Sequence, residues 1–209
     1  MGGTILWDVD TQVDFIEPGG KLYFAGAEEV KPAMAALVAV ARAAGLVHVA
    51  STDQHELSDP EISEQPDFLS TWPSHCLLGT PGAEKIPETK QLDPLPLPLV
   101  PVPHEILRRL LDGRREILIP KKHYDPFTNP NTETLLDLLD PDEILLFGVA
   151  TEICDDAAVR ALLRRGRRVA FVEDAARGVD EAQAAACVAA WSESGVRITA
   201  TAEAVASLC

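Results

Sequence analysis

The chain has 209 residues, 46% of them hydrophobic, a formal net charge of −15 and a mean hydropathy of +0.04. That balance excludes a disordered chain and argues against a nucleic-acid partner. No uninterrupted run of about 18 apolar residues occurs, so no membrane span is expected. No signal-peptide pattern opens the chain, and a cytoplasmic protein is the expectation.

The first apolar run, Thr4–Val9, reads as a buried strand and leads into "DTQVDF", which places Asp8, Asp10 and Asp14 close together. A helical pattern follows over 28–45, with Pro32 near its start and Gly45 at its end. Leu46–Ser51 is the second predicted strand. Residues 52–90 form a long polar stretch, and long loops inside compact domains are mostly functional. "PLPLPLVPVP", 94–103, has too many prolines for an interior strand or helix. It predicts an extended cover whose leucines and valines pack on the body of the protein or on a second subunit, and a homo-oligomer is expected. Helical patterns over 104–113, 131–140, 151–166 and 180–195 then alternate with predicted strands at Glu116–Ile119, Glu143–Phe147, Val169–Val172 and Val196–Thr199. The alternation predicts one α/β domain over 1–209. It would be a three-layer sandwich with a central six-stranded, mainly parallel sheet and helices on both faces.

In such sheets ligands bind outside the carboxyl ends of the strands. Asp10 ends the first strand, Asp53 and His55 follow the second, and Lys121 and Lys122 follow the third. "GVATEIC", 148–154, follows the fourth and brings Cys154 to the start of a helix. A thiol there has its thiolate favoured by the helix dipole, which makes Cys154 the candidate nucleophile. Of the other cysteines, Cys187 reads as core, Cys209 as the chain terminus and Cys76 as packing. Asp53-x-His55 with His75 and carboxylates such as Asp59 and Glu61 suits a divalent ion: zinc, iron or manganese.

These motifs resemble a known family. "DTQVDF" is similar to the opening of the isochorismatase-like cysteine hydrolases, and "TDQH" with "TWPSHCLLGTPGAE" looks like the metal loop of their nicotinamidases and pyrazinamidases. "PKKHYDPF" resembles the segment with the family lysine, and "GVATEIC" the nucleophile turn. The resemblance implies Asp10, Lys121 and Cys154 as catalytic residues, Lys122 being one position from the alternative register. It implies a cis peptide at Val149–Ala150 and an oxyanion held by the backbone N–H groups of Ala150 and Cys154. It implies Asp53, His55 and His75 as metal ligands. Glu61 stands where a further histidine is often found and would bind the ion directly or through water. Phe15 and Trp72 match aromatics that sandwich the substrate ring, and Tyr124, in the lysine segment, is expected to bind substrate with them. The implied activity is hydrolysis of a small heteroaromatic amide such as nicotinamide to acid and ammonia.

Three alternatives stand beside it. One is a relative acting on another small amide or a ureido or carbamoyl compound. "DVDTQ" also resembles the start of the haloacid-dehalogenase-like phosphatases, with Asp8 as nucleophile. The last is a non-catalytic scaffold on the same fold.

Overall fold

A computed structural model describes residues 3–208; Cys209 lies outside them. Along β1 (Thr4–Val9), Ile5, Trp7 and Val9 enter one hydrophobic core while Leu6 enters another. A strand buried on both faces reads as a continuous apolar run, which is why this one was legible in the sequence.

β1 sits centrally in a seven-stranded sheet with β2 (His48–Asp53), β3 (Leu95–Pro96), β4 (Glu116–Lys121), β5 (Glu143–Gly148), β6 (Val169–Val172) and β7 (Arg197–Thr199), in the order β3-β4-β2-β1-β5-β6-β7. Every ladder is parallel. The expected count of six is corrected to seven by β3, which lies inside the proline-rich segment. It pairs with Ile117 and Leu118 of β4, and Leu97 donates its N–H to the Leu118 carbonyl at 2.8 Å. The edge position explains it, because Pro96 and Pro98 need no donor on their open side.

Helices α1 (Val13–Ile16), α2 (Lys31–Ala43) and α7 (Thr201–Leu208) contribute to the core on one face; α3 (His104–Leu111), α4 (Thr132–Leu139), α5 (Asp156–Arg164) and α6 (Glu181–Glu193) cover the other. α7 was not anticipated, since its alanine-rich eight residues carry little periodicity. Its first N–H and the Thr201 hydroxyl both donate to Asp174. α6 begins at Asp180, whose carboxylate accepts from the N–H groups of Ala182 and Gln183. Cys187, expected in the core, is only half-buried because α6 lies largely at the surface. No helix among the described residues is long and apolar enough to cross a membrane.

The strand order runs outward from β1 in both directions, so the crevice above β1 and β5 is a topological switch point. There the chain leaves β1 at Asp10 and β5 at Gly148. Gly148 crosses β1 so closely that a Cβ would overlap the Val9 carbonyl oxygen.

Candidate active site

Parallel register assembles the site. β2 and β4 run two residues further than expected, so Asp53 and Lys121 are the last residues of their strands and stand side by side in the ladder. Asp10 follows β1 directly, with its N–H bonded to the Ser51 carbonyl and a left-handed φ of 51° that turns the chain away from the sheet. Gln12, unassigned in the sequence, clamps the neighbouring strand. Its side chain accepts from the Asp53 N–H and donates to the Asp53 carbonyl, both at 2.8 Å, and donates to the Ala83 carbonyl. Asp14 ties two loops together, accepting from Cys76 N–H at 2.7 Å and Lys21 N–H at 3.0 Å. Gly82 passes so close that any Cβ would overlap that carboxylate.

Lys121 is fully buried, with its ammonium 2.8 Å from Asp10 Oδ2 and 2.5 Å from Asp53 Oδ1. Cys154 Sγ and oxygens of Asp10 and Asp53 lie within 4.8 Å of one another. Lys122, the other candidate, is half-exposed and 3.0 Å from Asp59. Burial opposes the charge of Lys121, but Asp10 and Asp53 hold its pKa well above the usual lysine range. Burial likewise opposes ionisation of Asp53, yet Lys121, His55 and His75 hold it well below the usual carboxylate range. Burial raises Asp10 to about 6, helped by repulsion from Asp53.

Cys154 does not sit in the first turn of an α-helix. It belongs to a π-helical turn, Thr151–Asp155, that precedes α5. Burial pushes its thiol well above the usual range, with Lys121 opposing and Asp10 adding to the rise. The expectation of a cysteine in the first turn of an α-helix is therefore corrected, and burial works against the thiolate that the helix dipole was expected to favour. The Val149–Ala150 peptide is cis.

Asp155, beside the thiol, is also fully buried, and neither oxygen has a hydrogen-bond partner. Burial, then the charges of Asp10, Glu152 and Asp156, push its carboxyl far up, so the folded protein holds it as a neutral acid. Unfolding lets it ionise. Above the pKa of the unfolded chain the folded state thus binds more protons, and stability falls as pH rises, by about 1.4 kcal/mol per pH unit until the folded pKa is reached. Asp155→Asn, which keeps the shape, is expected to melt above the wild type at pH 8, with the gap closing toward pH 4. Thermal melts across that range measure it; parallel melting at every pH would contradict the neutral acid.

A second cluster adjoins the first through Asp53. Ligand atoms of Asp53, His55 and His75 lie within 4.8 Å of one another, all buried. His75 donates from Nδ1 to the Pro73 carbonyl at 2.8 Å, leaving Nε2 as a lone-pair donor 3.6 Å from Asp53 Oδ2. His55 Nε2 lies 3.8 Å from the same oxygen, and neither ring nitrogen of His55 makes a hydrogen bond. Imidazole nitrogens without hydrogen-bond partners facing a carboxylate fit a divalent metal ion. Glu61 falls outside this 4.8 Å set, although it is buried, has an unpartnered Oε2 and is raised to about 7 by burial and by Asp53.

Between the clusters and solvent lies a cavity of about 330 Å³. Phe15, Trp72 and Tyr124 line it, as do Ala150, Cys154, Asp53, Glu61 and His75. Sequence reasoning missed Lys21, Tyr23, Phe24, Phe68, Ile153 and Val179 in its wall. Tyr23 and Phe24 follow the turn after "DTQVDF", and that proximity was the available signal. Asp8 does not reach the cavity. It is buried under the sheet end against His48 at 2.5 Å, Lys85 and Thr11.

The Isochorismatase domain matches residues 4–203 of the sequence. The chain belongs to the isochorismatase family. A nicotinamidase/pyrazinamidase of Mycobacterium tuberculosis (strain ATCC 25618 / H37Rv) is 42% identical over 77 residues, a match spanning 36% of this chain and 40% of that relative. Among solved structures, the pyrazinamidase of Pyrococcus horikoshii in complex with zinc superposes with a TM-score of 0.74 at 24% identity, covering 94% of this chain and 98% of that one. The N-carbamoylsarcosine amidase of Thermoplasma acidophilum superposes with a TM-score of 0.73 at 22% identity, covering 95% and 96%. The three-layer α/β fold of this isochorismatase-family chain is thus shared by amidases of differing names.

Proposed function

We propose that this isochorismatase-family chain is a metal-containing cysteine amidohydrolase that converts a small heteroaromatic amide, such as nicotinamide, to acid and ammonia through a thioester. The observation that carries the reading is the buried Lys121 ammonium shared by Asp10 and Asp53, with the Cys154 thiol in the same cluster. Likeness to nicotinamidase/pyrazinamidases and the aromatic cavity wall support it.

Asp10, raised to about 6, is ionised at neutral pH and able to take the Cys154 proton. Lys121 keeps the two carboxylates together while charge moves between Cys154 and Asp10. The thiolate attacks the amide carbonyl, and the backbone N–H groups of Ala150 and Cys154 hold the oxyanion. Asp10 returns its proton to the departing ammonia, then activates the water that cleaves the thioester. Asp53, His55 and His75 would hold a divalent ion, zinc or alternatively iron or manganese, with Glu61 beside it directly or through water. When bound, the ion supplies Lewis-acid attraction for a ring nitrogen and so orients the substrate. Phe15, Trp72 and Tyr124 hold the ring. The assembled histidine cluster favours this reading over a metal-free ureido or carbamoyl amidase. The buried ion pairs of Asp8 remove it as a phosphatase nucleophile.

Ammonia release from nicotinamide, pyrazinamide and ureido compounds, with and without chelator, tests the reading. The heteroaromatic amides are expected to react. Chelation is expected to raise KM or slow turnover while Cys154 remains open to alkylation, and elemental analysis is expected to give near one metal per chain. Full activity in excess chelator with no bound metal would remove the metal from the proposal. Release from ureido compounds alone would change the substrate class.

A further inference from the structure

We infer that the preferred substrate is a heteroaromatic carboxamide carrying an apolar substituent on the ring edge away from the amide, bound at the cavity mouth by Phe68 and Val179. This inference rests on the amidohydrolase reading above and adds the substrate's outer half to it.

The cavity has a volume of about 330 Å³, and its wall runs from buried to exposed residues. Of the reacting groups, Asp53 and Cys154 line it and are buried, and Asp10 clusters with both. Phe68 and Val179 line the same cavity yet are 56% and 57% exposed. Large apolar side chains left uncovered at the rim of a cleft mark where an apolar ligand group is received.

Neither residue is exposed because its segment is loose. Asp67 fixes the turn that presents Phe68: its carboxylate accepts from the N–H groups of Leu69, Ser70 and Thr71. Phe68 itself has a left-handed φ of 56°, a conformation unfavourable for a non-glycine residue and frequent at ligand clamps. Its ring stands edge-on to Trp72 with centroids 5.9 Å apart. Val179 is held between Gly178, which abuts the Glu152 carboxylate, and Asp180, whose N–H donates to that carboxylate at 2.6 Å. Two separately anchored turns thus hold apolar side chains at the opening of one cavity. An apolar substituent between them would gain about fourfold in kcat/KM for each methylene it buries.

The experiment compares nicotinamide with analogues bearing a propyl or phenyl group meta to the carboxamide and away from the ring nitrogen. The readouts are ammonia release by the metal-loaded enzyme and isothermal titration of the Cys154→Ala protein. The expected result is at least a tenfold preference for the propyl analogue, with the preference collapsing toward unity in the Phe68→Ser/Val179→Ser double variant. Equal or better use of nicotinamide by the wild type would overturn the inference and leave the amidase reading standing. So would a preference that survives the double variant. If no amide releases ammonia, the amidase reading falls, and titration still decides the inference: equal dissociation constants for the two compounds overturn it.

Discussion

Replacing Cys154 by alanine is expected to reduce ammonia release to background, a loss of roughly 10⁴-fold or more, because a thioester route has no substitute nucleophile. Cys187→Ala and Cys76→Ala are expected to retain most turnover: Cys187 lies half-buried on α6, and the Cys76 thiol makes only a long contact to the Gly82 carbonyl at 3.8 Å. The same mechanism fixes the acid side of the pH profile. Asp10 must be unprotonated to receive the thiol proton, and burial raises it to about 6. Below that pH it is increasingly protonated, so kcat/KM is expected to fall about tenfold per pH unit. Steady-state ammonia assays on the variants, and on the wild type from pH 4 to 8, measure both effects. Near-normal turnover by Cys154→Ala would remove the nucleophile from the scheme.

Lys121→Met is expected to destabilise the fold as well as silence it. The ammonium is the buried counter-charge for both Asp10 and Asp53, and without it two carboxylates face each other in a dry site. Breaking a buried pair from one side costs about 3–5 kcal/mol. At this chain length that corresponds to a melting temperature lower by about 6–20 °C. The pH dependence should also steepen. In the wild type, Asp53 is held well below the usual range, so its contribution is present at neutral pH and is lost only in strong acid. In the variant one more carboxyl must stay protonated when folded, so stability should decline more steeply than in the wild type as pH rises above about 4. Melting within a degree or two of the wild type would mean that the triad's charges are balanced in another way.

The sequence by itself determined the parallel α/β plan, because strands buried on both faces must be continuous apolar runs and their helices must alternate with them. It also placed Asp10, Asp53, Lys121 and Cys154 at strand ends, and the family likeness put them in one site. Their pairing was a matter of register. The spacing to Tyr124 in the family-like segment favours Lys121 over Lys122 with one register left open; the ladder gives the physical reason, by setting Lys121 beside Asp53 and leaving Lys122 to Asp59. The pKa shifts were equally illegible, since burial dominates them: Cys154 reads as a dipole-favoured thiolate in one dimension, and burial in three pushes its thiol well up. Gln12 looks like a spacer between Asp10 and Asp14 until the fold brings the Asp53 backbone against it. The two-residue β3 was hidden because prolines are poor strand formers everywhere except at an edge, and only the assembled sheet has one. The cavity mouth, built from residues 68 and 179 on separate turns, exists only once both turns are anchored on the same sheet end.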